Sequence, residues 1–278
     1  MSEGFKCHSF STESASSDTA GKETIFMAIP NMRWVASSLA ASMVSLERAS
    51  HDIKSRYRFS FCWVEGVRPV DFARNVLVQM FLRSDATRIW FMDSDTMPPR
   101  AFTNLLLTDS DIVSGVTPTW GNNHTKEEPW PSFTVYRYDE KEKAFHHSLY
   151  YDSGIEDVDG VGTAMMLIKR HVIEDRRLWL PREYVCFDGK DAILPEDDPP
   201  PLFREVRKPN GQLDMTEDLD FCLRARKLGY RVTVNHEIKC GHWKEVDVLK
   251  VIHYIIKRLK APDRLEQETA ATTEGALG

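Results

Sequence analysis

Three short strand-like segments, each ended by turn or acidic residues, constrain this chain more than any other feature. Thr24-Ile-Phe-Met-Ala-Ile29 stops at Pro30-Asn31, Tyr57 to Val64 stops at Glu65-Gly66, and Arg88-Ile-Trp-Phe-Met92 runs straight into Asp93-Ser94-Asp95. A continuous apolar run such as Ile25 to Ile29 suits a strand buried on both faces, as in a parallel sheet. Between them, residues 34–49 place Val35, Leu39, Met43 and Leu46 at helical spacing. Asp71 stands as the N-cap of a second helix, with Phe72, Val76 and Met80 on one face. Asp111 to Gly115 supplies a fourth strand. Strand–helix alternation of this kind predicts an α/β fold with a mainly parallel sheet flanked by helices. Ligands of open α/β sheets gather beyond the carboxyl ends of the strands. Pro30, Glu65 and Asp93 all fall there.

The second half reads as more mixed. Ser132 to Tyr138 and Phe145 to Tyr151 predict antiparallel strands flanking a Lys/Glu-rich turn, a smaller antiparallel portion beside the main sheet. Asp159-Gly-Val-Gly-Thr-Ala-Met-Met-Leu-Ile-Lys169 predicts a glycine-led bend and then a buried strand. Residues 186–214 are acidic and rich in Pro and Gly, and a loop of that length is expected to be a lid or an acceptor-recognition segment ordered by ligand. Thr216 caps a helix running to Leu228, and Gly229 ends it in the C′ position. A strand over Arg231 to Asn235 and a helix from Glu245 to Leu259 complete the reading.

Composition bounds the function. The 278 residues carry 36 basic and 42 acidic side chains, a net charge of −6, which argues against broad electrostatic capture of nucleic acid or anionic lipid. No apolar run reaches the ~18 residues of a membrane span, and no secretory signal is visible. The five cysteines, Cys7, Cys62, Cys186, Cys222 and Cys240, are scattered and never form a CxxC pair, which fits reduced thiols and a cytoplasmic setting. Residues 1–23, with six Ser and two Thr, read as a disordered leader, and 261–278 as a flexible tail. Residues 24–260 read as one compact domain, with halves over 24–120 and 121–260.

Four segments carry candidate chemistry. In Asp93-Ser94-Asp95, two carboxylates at a strand-to-loop transition can converge on one hard cation, against the alternative of a solvated turn. Asp159-Gly160-Val161-Gly162-Thr163 permits close backbone approach but is neither a P-loop nor a dinucleotide fingerprint, so by itself it is a structural bend. In Thr216-Glu217-Asp218-Leu219-Asp220, acidic residues in a first helical turn follow from capping and the macrodipole, or else place Asp218 at a pocket rim as a general base. Leu219, Cys222, Leu223 and Leu228 would pin that helix from below. Cys240-Gly241-His242-Trp243 lacks zinc-site spacing, and its His can instead complete a coordination begun by Asp95.

In this order and spacing the four segments resemble a glycosyltransferase of the GT-A fold, nearest the family 2-like group, over residues 24–245. The most specific part is the Glu-Asp helix running into Leu228-Gly229-Tyr230. The resemblance implies a UDP- or GDP-sugar donor and a divalent Mn²⁺ or Mg²⁺. By position it implies that Ala28, Ile29, Pro30 and Glu65 meet the base and ribose. It also implies donor contacts at Arg74, Asn75, Asp93 and Ser94, and metal ligation by Asp95 and His242 with Asp93 nearby. Asp159, Gly160, Val161 and Gly162 would border the sugar and acceptor, Asp218 would be the base, and Glu217 would position the acceptor. With Asp218 as base the resemblance implies inversion of the anomeric centre, while Asp71-Phe-Ala-Arg-Asn75 also resembles retaining GT-A families and keeps retention open. The acceptor is open as well: a carbohydrate, a lipid-linked group, a protein, or a modified nucleic acid met by Arg204, Arg207 and Lys208. Competing readings are a nucleotidyltransferase, which usually brings a Gly-rich basic loop absent from Pro30-Asn31-Met32-Arg33, and an inactive nucleotide-sugar-binding module.

Overall fold

The apolar run from Thr24 forms a strand whose side chains alternate between two apolar layers, Phe26 and Ala28 into one and Ile25, Met27 and Ile29 into the other. That is why it shows no polar face. The computed structural model describes residues 6–11, 21–31, 46, 51–122, 129–148, 152–181, 183–185, 191–193, 201–242, 252 and 255–256. In chain order these supply β1 (Lys6–Ser11), β2 (Glu23–Asn31), α1 (His51–Arg56), β3 (Tyr57–Glu65), α2 (Val70–Leu82), β4 (Arg88–Met92), β5 (Thr96–Met97) and β6 (Ile112–Val116). There follow β7 (Pro118–Asn122), β8 (Pro129–Phe133), β9 (Val135–Asp139), β10 (Ala144–His147), β11 (Ile155–Asp157), β12 (Gly160–Val161), β13 (Met165–Lys169) and α3 (Arg170–Glu174). The last are β14 (Glu183–Val185), β15 (Asp191–Ile193), β16 (Val206–Arg207), β17 (Leu213–Met215), α4 (Glu217–Lys227), β18 (Val232–Lys239) and β19 (Gly241–His242).

The architecture is α/β, as expected. Eight strands form the central sheet in the order β1-β3-β2-β4-β13-β6-β18-β11. Strands β3, β2, β4, β6 and β18 run one way, whereas β1, β13 and β11 run antiparallel to their neighbours. Antiparallel β13 lies between β4 and β6, so its amino end meets the carboxyl ends of both. One apolar layer packs under α2 through Ala73, Val76, Leu77 and Phe81, and the other packs on Phe102, Leu105 and Leu106. Antiparallel β10-β9-β12 makes the smaller sheet. The chain divides into two compact units, residues 1–118 with 133–243, and residues 119–132 with 244–278. The first unit draws strands from both sides of the division expected at 120. In the second, the described residues include most of a two-stranded β7–β8 sheet.

Several expectations need correction. Residues 6–11 of the expected disordered leader form an edge strand against β3; edge pairing uses backbone groups and so tolerates a polar sequence. Helix α2 starts earlier than Asp71, with extended Pro69 as its N-cap. Asp71 turns inward, accepting hydrogen bonds from the backbone N–H groups of Phe72 and Glu205, and burial pushes its carboxyl above the usual range. The expected lid is anchored where it is described: Leu202 and Phe203 are core residues, and Phe203 packs its ring on Phe91 and Phe221. Residues 186–190 and 194–200 lie outside the described residues, as do most of the helices expected over 34–49 and 245–259 and the tail from 261.

The end of α4 follows the expectation. Gly229 has φ +91°, its N–H bonds to Arg226 O, and Tyr230 N–H reaches back to Ala225 O. This is the doubly bonded Schellman termination, which needs a residue at ease in the left-handed region. Among the described residues, no helix is long and apolar enough to cross a membrane.

Candidate active site

Beyond the carboxyl end of β4 the chain turns through Asp93-Ser94-Asp95, with Thr96 N–H bonded to Asp93 O and Asp93 N–H bonded to Ala164 O at the start of β13. The following strand, β5, pairs antiparallel with β19, placing His242 opposite Thr96. Two side chains separated by 147 residues meet here: His242 Nε2 lies 3.1 Å from Asp95 Oδ2. The other ring nitrogen, Nδ1, is 2.8 Å from the carbonyl oxygen of Pro118. A carbonyl only accepts, so Nδ1 carries the proton and donates it. In the neutral ring, Nε2 then points a lone pair at a carboxylate oxygen. That approach is repulsive unless a positive charge stands between them, either a proton or a metal ion. A backbone carbonyl holding the far nitrogen is the usual support of a metal-bound His. Two adjacent ligands of an octahedral ion with bonds of about 2.1 Å stand about 3 Å apart, so the separation fits a shared cation. The mixed imidazole and carboxylate set favours a transition ion such as Mn²⁺ over Mg²⁺.

Asp93 has a different partner, Arg74. Arg74, on the buried face of α2, donates through Nη2 to Asp93 Oδ1 at 2.9 Å and through Nη1 to Glu217 Oε1. The Arg74 and Glu217 side chains are only 4% and 8% exposed, and a charge buried so deeply must be paired. One guanidinium thus ties the acidic turn after β4 to the first residue of α4. The next residue, Asp218, is half-buried; its Oδ1 accepts from the Thr216 hydroxyl and from Leu219 N–H. Thr216 is the N-cap as expected, but its hydroxyl serves Asp218 rather than a backbone N–H. Leu219, Phe221, Cys222 and Ala225 anchor α4 in the core, while Leu223 and Leu228 are only half-buried. Asp220 is held by Arg224 Nε at 2.8 Å.

Sequence reasoning missed two residues beside Asp218. The Asp218 charge acts on both the Tyr136 phenol and the His147 imidazole. Burial and that carboxylate push the Tyr136 hydroxyl well above its usual range, whereas desolvation pulls the His147 ring below its own. The two rings sit on neighbouring strands with centroids 4.6 Å apart. Their signal was faint because Val135-Tyr-Arg-Tyr138 reads as an ordinary half-buried strand.

Other expected site residues serve the core. Ala28 is fully buried between Cys62 and Phe91, with pairing strands on both sides, and Ile29 and Pro30 are buried at the end of β2. Glu65 is exposed at the carboxyl end of β3, and Ser94 is half-buried in the acidic turn. Asn75 is consumed as a staple: Nδ2 donates to Phe203 O at 2.8 Å, and Oδ1 accepts from Leu202 and Phe203 N–H at 2.8 and 2.9 Å. Asp159 pairs with Arg226 and accepts from Tyr138 N–H. Val161 is fully buried. A Cβ on Gly160 would stand 2.7 Å from Leu219 Cδ2, and one on Gly162 2.8 Å from Thr134 Cβ. The glycines therefore admit neighbouring side chains, which is the structural-bend reading of this segment.

A separate group, Asp139, Glu142 and His146, brings three potential metal-binding atoms within 4.8 Å of one another on the β9–β10 turn. Asp139 Oδ1 is engaged there by the backbone N–H groups of Lys141 and Glu142, as in an ordinary turn. Cys62, Cys222 and Cys240 are buried; burial pushes the Cys222 and Cys240 thiols to about 12, which leaves them inert.

No protein-family model matches the sequence, and no curated protein matches it. Among solved structures, A197 from STIV is 18% identical with a TM-score of 0.44, over 80% of this chain and 86% of that one. GalNAc-T7, solved with UDP, GalNAc and Mn²⁺, is 7% identical with a TM-score of 0.41, over 82% of this chain and 45% of that one. The inositol-1-phosphate CTP transferase from T. maritima is 10% identical with a TM-score of 0.35, over 78% of this chain and 88% of that one. At these scores the likeness carries no inference about activity.

Proposed function

We propose that this chain is a metal-dependent glycosyltransferase that moves a sugar from a UDP- or GDP-sugar to an acceptor hydroxyl. The observation that carries the reading is the His242 ring, fixed by Pro118 O so that Nε2 faces Asp95 across a gap suited to a cation. Asp95 and His242 would hold the ion, with Asp93 on the same turn. A divalent ion bound there supplies positive charge to the departing diphosphate. Arg74 keeps Asp93 and Glu217 in place, so the turn and the α4 terminus keep a fixed spacing. Asp218, at the start of α4, takes the acceptor's proton as its oxygen attacks the anomeric carbon. The new glycosidic C–O bond forms while the bond from that carbon to the diphosphate oxygen breaks, and the nucleoside diphosphate leaves with the electron pair. Attack with Asp218 as base inverts the anomeric centre.

The test is Mn²⁺-dependent hydrolysis of UDP-glucose, UDP-N-acetylgalactosamine and GDP-mannose, followed with Mn²⁺ binding by electron paramagnetic resonance. Wild type should bind Mn²⁺ and hydrolyse at least one donor. His242→Ala and Asp95→Asn should weaken Mn²⁺ binding at least tenfold. Undiminished Mn²⁺ affinity in both variants would overturn the reading.

A further inference from the structure

The small sheet beside α4 presents an aromatic face that the transfer chemistry above does not use. In the β9–β10 register Tyr138 lies opposite Phe145 and Tyr136 opposite His147, so all four rings share one face. The ring centroids of Tyr138 and Phe145 are 5.0 Å apart, and those of Tyr136 and Phe145 are 6.2 Å apart. Gly160 of β12 pairs with Tyr136 on the same face. The space where its Cβ would stand is taken by Leu219 and Phe145, so this face lies against the first turn of α4, one residue from Asp218. Tyr136 is 9% exposed.

We infer that this face is the acceptor subsite and that it takes a carbohydrate ring, the Tyr136 hydroxyl and the His147 imidazole holding ring hydroxyls beside Asp218. The inference rests on the assignment of Asp218 as base. A sugar offers an apolar C–H face to an aromatic side chain and hydroxyls at its edge to a few polar groups, the usual make-up of a small-molecule site. Tyr136, held protonated by its surroundings, donates; Asp218 accepts. The hydroxyl facing Asp218 is the one activated. A phosphodiester chain is disfavoured, because its affinity depends on cations and this face centres on a carboxylate.

The experiment is saturation-transfer NMR on the full chain with lactose, maltotriose and chitotriose as probes, and with adenosine and a single-stranded oligonucleotide as controls. Wild type should bind at least one saccharide. Tyr136→Phe, which removes one oxygen from a buried ring, should weaken it about tenfold. His147→Ala, on an exposed position, should weaken it several-fold with an unchanged melting temperature. UDP–Mn²⁺ binding should be unaltered in both variants. Binding of none of the saccharides, preference for adenosine or oligonucleotide, or saccharide affinity unmoved by both variants would each overturn the subsite. Loss of the transferase reading shows instead as absent UDP–Mn²⁺ binding in wild type, while variant-sensitive saccharide binding persists.

Discussion

Replacing Asn75 with Ala separates a structural role from a donor-binding one. The Asn75 side chain makes three hydrogen bonds, all to the backbone of Leu202 and Phe203, and the residue is 2% exposed. At about 1 kcal/mol net for each bond, their loss costs about 3 kcal/mol, and more if the stranded amides find no water. For a domain of this size each kcal/mol lowers the melting temperature by about 2–4 °C, so a fall of about 6–12 °C is expected. Differential scanning fluorimetry and urea unfolding measure it, and limited proteolysis should show faster cleavage near residue 202. Donor affinity, read by titrating UDP-sugar with Mn²⁺ below the transition, should change less than threefold. A variant as stable as wild type but tenfold weaker for the donor would refute this account and return Asn75 to the binding site.

Asp218→Asn should lower the transfer rate by about 10²–10⁴-fold while leaving the donor KM near its wild-type value, measured by product formation. A rate within threefold of wild type would remove Asp218 as base. Gly115→Ala would set a Cβ 2.6 Å from the backbone oxygen of Ile238; the forced shift should destabilise the sheet by about 1–3 kcal/mol, seen as a lower urea midpoint. Asp175, bonded by Arg177 and Tyr230, has its carboxyl held far below the usual range. A depressed carboxyl contributes stability that is present above its unfolded value and is lost as pH falls. Asp175→Asn should therefore flatten the acid side of the stability curve below about pH 4, and an unchanged slope would contradict the assignment.

The central strands were legible because burial on both faces leaves an unbroken apolar signature, as at Ile25 to Ile29 and Ile89 to Met92. The Schellman end of α4 was legible because it needs one particular residue in one place. Asp95 and His242 were legible as candidate ligands from their residue types and strand-end positions, and the resemblance strengthened their pairing, since no local rule links residues so far apart. Three features were hidden for physical reasons. The insertion of β13 between β4 and β6 depends on sheet order, which apolar content does not encode. Leu202 and Phe203 stood among prolines and acids, so a segment pinned into the core read as a loose loop. Arg74 looked like a donor contact, yet its neighbours in space, Asp93 and Glu217, both claim it.

Strand β19 is two residues long, and it alone delivers the imidazole to Asp95. Side chains on a strand alternate from face to face, so one amino acid inserted between Cys240 and His242 would swing the ring to the far side while sparing the sheet. Insertions and deletions here should therefore silence the protein more thoroughly than most point changes do, and they should leave it soluble and folded.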